Sequence, residues 1–266
     1  MKRTLAVVLS LLTLAMGTIA LAEPLRVGME CDYAPFNWTQ AEPSDTSVPI
    51  ENGGYADGYD VQIARRIADA LDRDLIIVRT EWDGLPLAVM SGKIDAIVAG
   101  MSPTAERSMT IDFTQPYYES DLVVVVRADS PYAKAESLED LGGAAITGQL
   151  NTFHYSVIDQ IPGVRKQTAL DTFPAMIVAL NAGRVDGYVS ERPGAVSAAA
   201  ANPGLTFVSF ADGRGFEAEP EDVAVAVGLA KDSALREPIN EVLASITREE
   251  RQRLMDESVA RQPLSE

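Results

Sequence analysis

The chain has 266 residues, 47% of them hydrophobic, and a formal charge of −17 at neutral pH. That length and apolar content suit one large domain or two ordinary ones with a true core, and the acidic balance excludes a nucleic-acid-binding surface. A single cysteine, Cys31, excludes an intramolecular disulfide, and a single histidine, His154, excludes a multi-histidine metal site.

Lys2 and Arg3 precede an apolar run from Leu5 to about Leu14, and Ala20-Leu21-Ala22 follows. A charged start, an apolar stretch and a small-x-small end form the pattern of an export signal. Cleavage is expected after about Ala22, leaving a periplasmic chain two units more negative. Cys31 lies well inside that mature chain, so it is not a lipid-attachment cysteine and the protein is not expected to be a lipoprotein.

Strand-like and helix-like spacings then alternate. Leu25 to Met29 reads as a strand. Tyr59, Ile63, Ile67 and Leu71 recur every four residues and mark an amphipathic helix. Leu75 to Val78 is a short strand, Leu85 to Met90 a helix stopped at Ser91-Gly92, and Ala96 to Val98 a strand ending at Gly100. This order predicts an α/β unit with a mainly parallel sheet and helices on both faces. Between the first strand and the first helix, Asn37 to Asp57 is rich in Pro, Gly, Ser and acidic residues. It reads as a long surface loop, either a binding loop or a disordered lid.

Beyond Gly100, Ser102-Pro103 reads as a helix start, because serine caps free N–H groups and proline fits the first helical position. Arg107 follows about one turn on. A helix N-terminus suits an anion, and a guanidinium fork matches a carboxylate in bidentate fashion. The segment therefore predicts a carboxylate-binding corner at a strand end.

Leu122 to Val126 opens a second unit. Ser137 to Gly142 reads as a short helix, Ala144 to Thr147 as a strand, and Gly148-Gln-Leu-Asn-Thr152 as the entry to a helix over Phe153–Gln160. Phe173 to Asn181 is helical, Val185 to Val189 a strand, Arg192 to Ala201 a helix and Leu205 to Phe210 a strand. A Gly- and acid-rich connection, Ala211 to Asp222, leads to a strand over Val223–Leu229. Two helices follow, from Ser233 to about Ser245 and from Arg248 to Val259. This tail is too small for a domain and must dock on one of the two units; if it returns to the first, the chain crosses between them twice and forms a hinge.

Four blocks carry a family resemblance: Val27-Gly-Met-Glu-Cys-Asp-Tyr-Ala-Pro-Phe36, Gly58-Tyr-Asp-Val-Gln-Ile-Ala64, Ala99 to Tyr118, and Ala182-Gly-Arg-Val-Asp-Gly-Tyr-Val-Ser-Glu191. In order and spacing the chain resembles the bacterial extracellular solute-binding proteins of family 3, which serve ABC transporters for polar amino acids. The resemblance implies an α/β, two-lobed periplasmic-binding-protein clamshell of type II with two hinge crossings. Residues 23–119 with 219–266 would form one lobe and 120–218 the other. It implies a monomer that takes a free amino acid and delivers it to a membrane ABC permease, with no enzymatic activity and no cofactor or metal.

The resemblance also assigns residues. Arg107 and Ser102 match the grip on the ligand α-carboxylate, with backbone groups of Gly100 and Met101 beside it. Tyr33 and Phe36 match the aromatic wall. Glu191 stands where relatives usually carry an aspartate for the α-ammonium. Asn151 and Thr152 lie at the helix start that meets the carboxylate on closure, whereas Phe153 replaces the small hydroxyl residue common there. Glu30 and Asp60 match positions that hold the distal cation in lysine- and arginine-type relatives; alternatively Asp60 caps its helix and Glu30 faces solvent. A basic ligand is expected, because unpaired buried carboxylates are costly. Two other roles share this architecture: a dehydratase acting on a cyclic carboxylic acid, with Glu191 as proton donor, and a ligand-sensing module.

Overall fold

The structure, a computed structural model, describes residues 23–51 and 53–263. The export signal expected at 1–22 lies outside the described residues. No described helix is long and apolar enough to cross a membrane.

The first half contains β1 (Leu25–Met29), β2 (Asp32–Tyr33), β3 (Asn37–Gln40), β4 (Val48–Pro49), β5 (Tyr55–Asp57), α1 (Tyr59–Ala70), β6 (Leu75–Arg79), α2 (Leu85–Met90), β7 (Ala96–Ile97) and β8 (Asp112–Glu119). The second contains β9 (Leu122–Arg127), β10 (Ala145–Thr147), α3 (Phe153–Ser156), β11 (Arg165–Lys166), α4 (Phe173–Asn181), β12 (Gly187–Glu191), α5 (Arg192–Ala201) and β13 (Leu205–Val208). The tail adds β14 (Ala224–Leu229), α6 (Arg236–Ser245) and α7 (Arg248–Arg261).

Two five-stranded sheets result, in the orders β6-β1-β7-β14-β8 and β11-β10-β12-β9-β13. Both are mixed, which corrects the expectation of mainly parallel sheets. β1 pairs in parallel with β6 and β7, and β10 with β11 and β12. β14 runs antiparallel to β7 and β8, and β9 antiparallel to β12 and β13. The strands that enter or leave a lobe run against the helix-connected ones. Between the lobes the two crossings touch, where Ser120 N–H donates to Val223 O at 3.1 Å.

The segment from Asn37 to Asp57 is not a loop. It supplies three strands of a four-stranded antiparallel sheet in the order β2-β3-β5-β4. Its Gly and Ser residues lie between the strands, Pro49 ends β4, and the strands are too short for alternation to register. Helix α1 buries Tyr59, Val61, Ile63, Ala64 and Ile67. Its first turn is docked on the chain before it: Tyr59 N–H donates to Pro35 O at 3.0 Å and Asp60 N–H to Phe36 O at 2.7 Å. In α7 the Thr247 side chain accepts from Glu250 N–H at 3.1 Å, a side-chain cap of the ordinary kind. Glu250 in turn pairs with Arg66 of α1 at 2.8 Å, which ties the tail to the first lobe.

Gly58 joins β5 to α1 with φ +128, and a Cβ there would lie 2.3 Å from Phe36 O. Both strain and clash oppose any side chain. Gly58→Ala is expected to cost about 3 kcal/mol of stability, seen as a lower urea midpoint at unchanged m-value; an unaltered midpoint contradicts this.

Candidate functional site

The lobes meet at the carboxyl ends of their strands, where open α/β sheets ordinarily place ligands. One lobe contributes the turn after β1 with Tyr33, the turn with Trp82 before α2, and the segment after β7 with Gly100, Ser102 and Arg107. The other contributes Gln149, Thr152 and His154 at the start of α3, and Glu191 at the end of β12. These residues line one crevice.

Side chains bridge that crevice. The Tyr33 ring stacks on Phe173 of α4 with centroids 4.0 Å apart, and its hydroxyl donates to Glu191. Gln149 Nε2 donates to both Glu30 oxygens, at 3.1 and 3.2 Å. Asn151 O accepts from Arg107 Nη2 at 3.2 Å, and Asn151 Nδ2 donates to Asp83 at 3.0 Å.

The charges are poorly answered. Arg107 donates Nη1 to Ser102 O at 3.0 Å and lies over the Trp82 ring at 5.0 Å. It forms no ion pair with a described carboxylate, and burial lowers its pKa to about 10. Burial pushes Glu191 up to about 8. It also pushes Glu30 up to about 7, against the opposing hydrogen bond from Gln149. His154 Nε2 lies 3.3 Å from Glu191 Oε1, and burial with the charge of Arg107 lowers the imidazole to about 4. The crevice therefore offers one fixed cation and one lining carboxyl group, Glu191, with Glu30 bonded to the lining Gln149; both carboxyl groups ionise readily only beside a positive charge.

Several expected positions are placed differently. No helix starts at Ser102-Pro103; only a short 3-10 turn forms at Arg107–Met109. Thr104, not Ser102, accepts from Arg107 N–H, at 3.3 Å. The Met101 carbonyl is taken by Ala226 N–H at 3.0 Å. Gly100 lies against Tyr33: with φ +64, a Cβ would be 2.9 Å from the ring. Phe36 is fully buried behind Tyr33, with centroids 5.0 Å apart. Thr152 turns its hydroxyl to Gln149 O at 2.7 Å.

Asp60 is outside the crevice and fully buried. Its carboxylate accepts from Tyr117 Oη at 2.7 Å and from Asn37 Nδ2 at 2.8 Å, while burial pushes it up to about 6. Asn37 Oδ1 accepts from Cys31 N–H at 2.7 Å, and Tyr117 Oη accepts from Gly100 N–H at 3.3 Å. Asp60 thus knots together two of the three segments that carry the crevice residues of this lobe, those after β1 and β7. Trp82, Gln149, His154 and Phe173 were not anticipated as site residues. Only His154, as the sole histidine, carried a signal; the others look like ordinary turn or core residues.

Asp60→Asn places an amide donor against donors. It is expected to cost about 2 kcal/mol and to loosen the crevice turns, read by chemical denaturation and hydrogen exchange at Cys31 and Gly100. Unchanged exchange there would rule out the knot.

The family model for bacterial extracellular solute-binding proteins, family 3, matches residues 25–258. A probable histidine-binding protein of Campylobacter jejuni is 32% identical over 186 residues, 70% of this chain and 66% of that protein. The ABC transporter arginine-binding protein 1 of Escherichia coli is 27% identical over 229 residues, 85% and 86% of the two chains. A cyclohexadienyl dehydratase of Pseudomonas aeruginosa matches only 48% of this chain and 43% of its own, at 30% identity. Among solved structures, an amino acid ABC transporter substrate-binding protein from Streptococcus pneumoniae bound to L-arginine superposes with a TM-score of 0.76 at 28% identity, covering 89% of this chain and 94% of that one. The two-lobed architecture and these matches agree: the chain belongs to the bacterial extracellular solute-binding proteins, family 3.

Proposed function

We propose that this protein is an exported monomeric receptor that binds a basic L-amino acid, of arginine or lysine type, and delivers it to an ABC permease. The observation that carries this reading is Arg107, a half-buried guanidinium in the crevice that meets carbonyl oxygens but no described carboxylate. An α-carboxylate is its natural partner. Glu191 takes the α-ammonium and Glu30 the distal cation. One fixed positive and two negative groups then face a ligand with one negative and two positive groups, and each buried charge is matched. Ser102 and the turn of Asn151 and Thr152 flank the carboxylate, with Tyr33 along the ligand. The relatives named for arginine and histidine support a cationic side chain. The described residues of 23–119 and 219–263 form one moving lobe, and 120–218 the other.

A second reading has one observation in its favour. Glu191, held near 8 beside Tyr33 and His154, carries a proton at neutral pH and could act as a general acid. That is the chemistry of a dehydratase acting on a cyclohexadienyl acid.

A thermal-shift screen of the proteinogenic amino acids separates the two. The receptor reading expects a large shift with arginine or lysine; no shift, together with turnover of a cyclohexadienyl acid, overturns it. Arg107→Ala is expected to weaken binding roughly 100-fold or more, by calorimetry, with the fold intact. Glu30→Gln should weaken arginine and lysine more than glutamine, and an equal effect rejects the role of Glu30.

Binding should also release protons. Glu30 and Glu191, raised to about 7 and about 8, are largely protonated below those values and must ionise to hold a cation. Affinity for L-arginine is therefore expected to fall as pH drops through about 8 and about 7 and to level off above them. Calorimetry in buffers of different ionisation enthalpy reads the released protons; proton uptake, or a pH-independent affinity, contradicts this.

A further inference from the structure

Two buried side chains leave nitrogens without a hydrogen-bond partner among the described residues: Arg261 and His154. Arg261 lies away from the crevice, within 3.5 Å of Asp57. His154 lines the crevice, 9% exposed, and its unanswered atom is Nδ1.

The imidazole is held in place. Its edge meets Phe173 at 6.1 Å and 80°, and Phe173 is stacked on Tyr33. Nε2 faces Glu191 Oε1 at 3.3 Å. Burial and the charge of Arg107 keep the ring neutral, so one nitrogen carries a proton and the other a lone pair. Once a ligand cation ionises Glu191, the proton belongs on Nε2, toward the carboxylate. Nδ1 is then a buried acceptor. A buried acceptor left unpaired costs more than a hydrogen bond gains.

We propose that His154 is a ligand-contacting residue whose Nδ1 accepts a hydrogen bond from the α-ammonium of the bound amino acid, beside Glu191. This rests on the receptor reading above.

The competing role is structural: His154 orients Glu191 through Nε2 and touches no ligand. Substitutions distinguish the two, because an asparagine amide reaches the Nδ1 position and a glutamine amide the Nε2 position. His154→Phe, which keeps the ring packing, is expected to weaken L-arginine about 10–100-fold. His154→Asn should recover more of that loss than His154→Gln; the reverse order assigns His154 to Glu191 and overturns the proposal. A measurement on the wild-type protein does not depend on the folding of any variant. With one histidine in the chain, nitrogen-15 NMR of labelled histidine gives one assigned ring. L-Arginine should shift Nδ1 while Nε2 stays protonated, and an unmoved Nδ1 overturns the proposal. If the wild type binds no amino acid, the receptor reading fails and this one with it. If the wild type binds L-arginine and His154→Phe binds it equally well, only the role of His154 fails.

Discussion

Ionisable side chains withdrawn from water must be paired, neutralised or hydrogen-bonded, and this constraint governs the crevice. Arg107 stays charged and leans on carbonyl oxygens and an indole face. Glu191 and Glu30 respond in the other way, by holding protons. Neither answer is as good as an opposite charge, since desolvation of an unpaired ion costs several kcal/mol. A ligand that supplies the missing charges relieves all three groups at once. On the proposed receptor reading, affinity comes from correcting an electrostatic deficit built into the fold, and much less from apolar contact.

The contacts that close the crevice use the same atoms. Tyr33 on Glu191, Gln149 on Glu30 and Asn151 O on Arg107 each occupy a group that the proposed receptor role gives to the ligand. The protein's own side chains therefore compete with the ligand, which lowers affinity for any weak partner. A ligand must offer better bonds at several points to displace them, and discrimination follows from that threshold.

Much of this was legible in the sequence, and the limits have physical causes. The strand over Leu25–Met29 and the helix begun at Tyr59 follow from periodicity because the buried Leu25, Val27 and Met29 recur every second residue and the buried Tyr59, Ile63 and Ile67 every fourth. Arg107 was legible from its chemistry, since a lone arginine after a buried strand end has few structural uses. The cap at Ser102 failed because Thr104, two residues on, takes the Arg107 N–H instead. The sheet within 37–57 was hidden by strands of two to four residues. Asp60 misled because its sequence neighbours reveal nothing of Tyr117 and Asn37, which satisfy it from elsewhere in the lobe. Gln149 acquires its meaning only when the first lobe brings Glu30 to it.

The insertion of β14 between β7 and β8 sets an order of assembly. Every strand of the second sheet falls between Leu122 and Val208, so that lobe is complete in sequence before β14 has been made. The first sheet, begun earlier, must wait for residues Ala224–Leu229 to supply an inner strand across a long loop closure. Until then β7 and β8 present open edges, the kind of surface on which chains aggregate. The lobe that starts first is thus the last to finish, and a nascent chain needs its strands kept apart until the tail arrives.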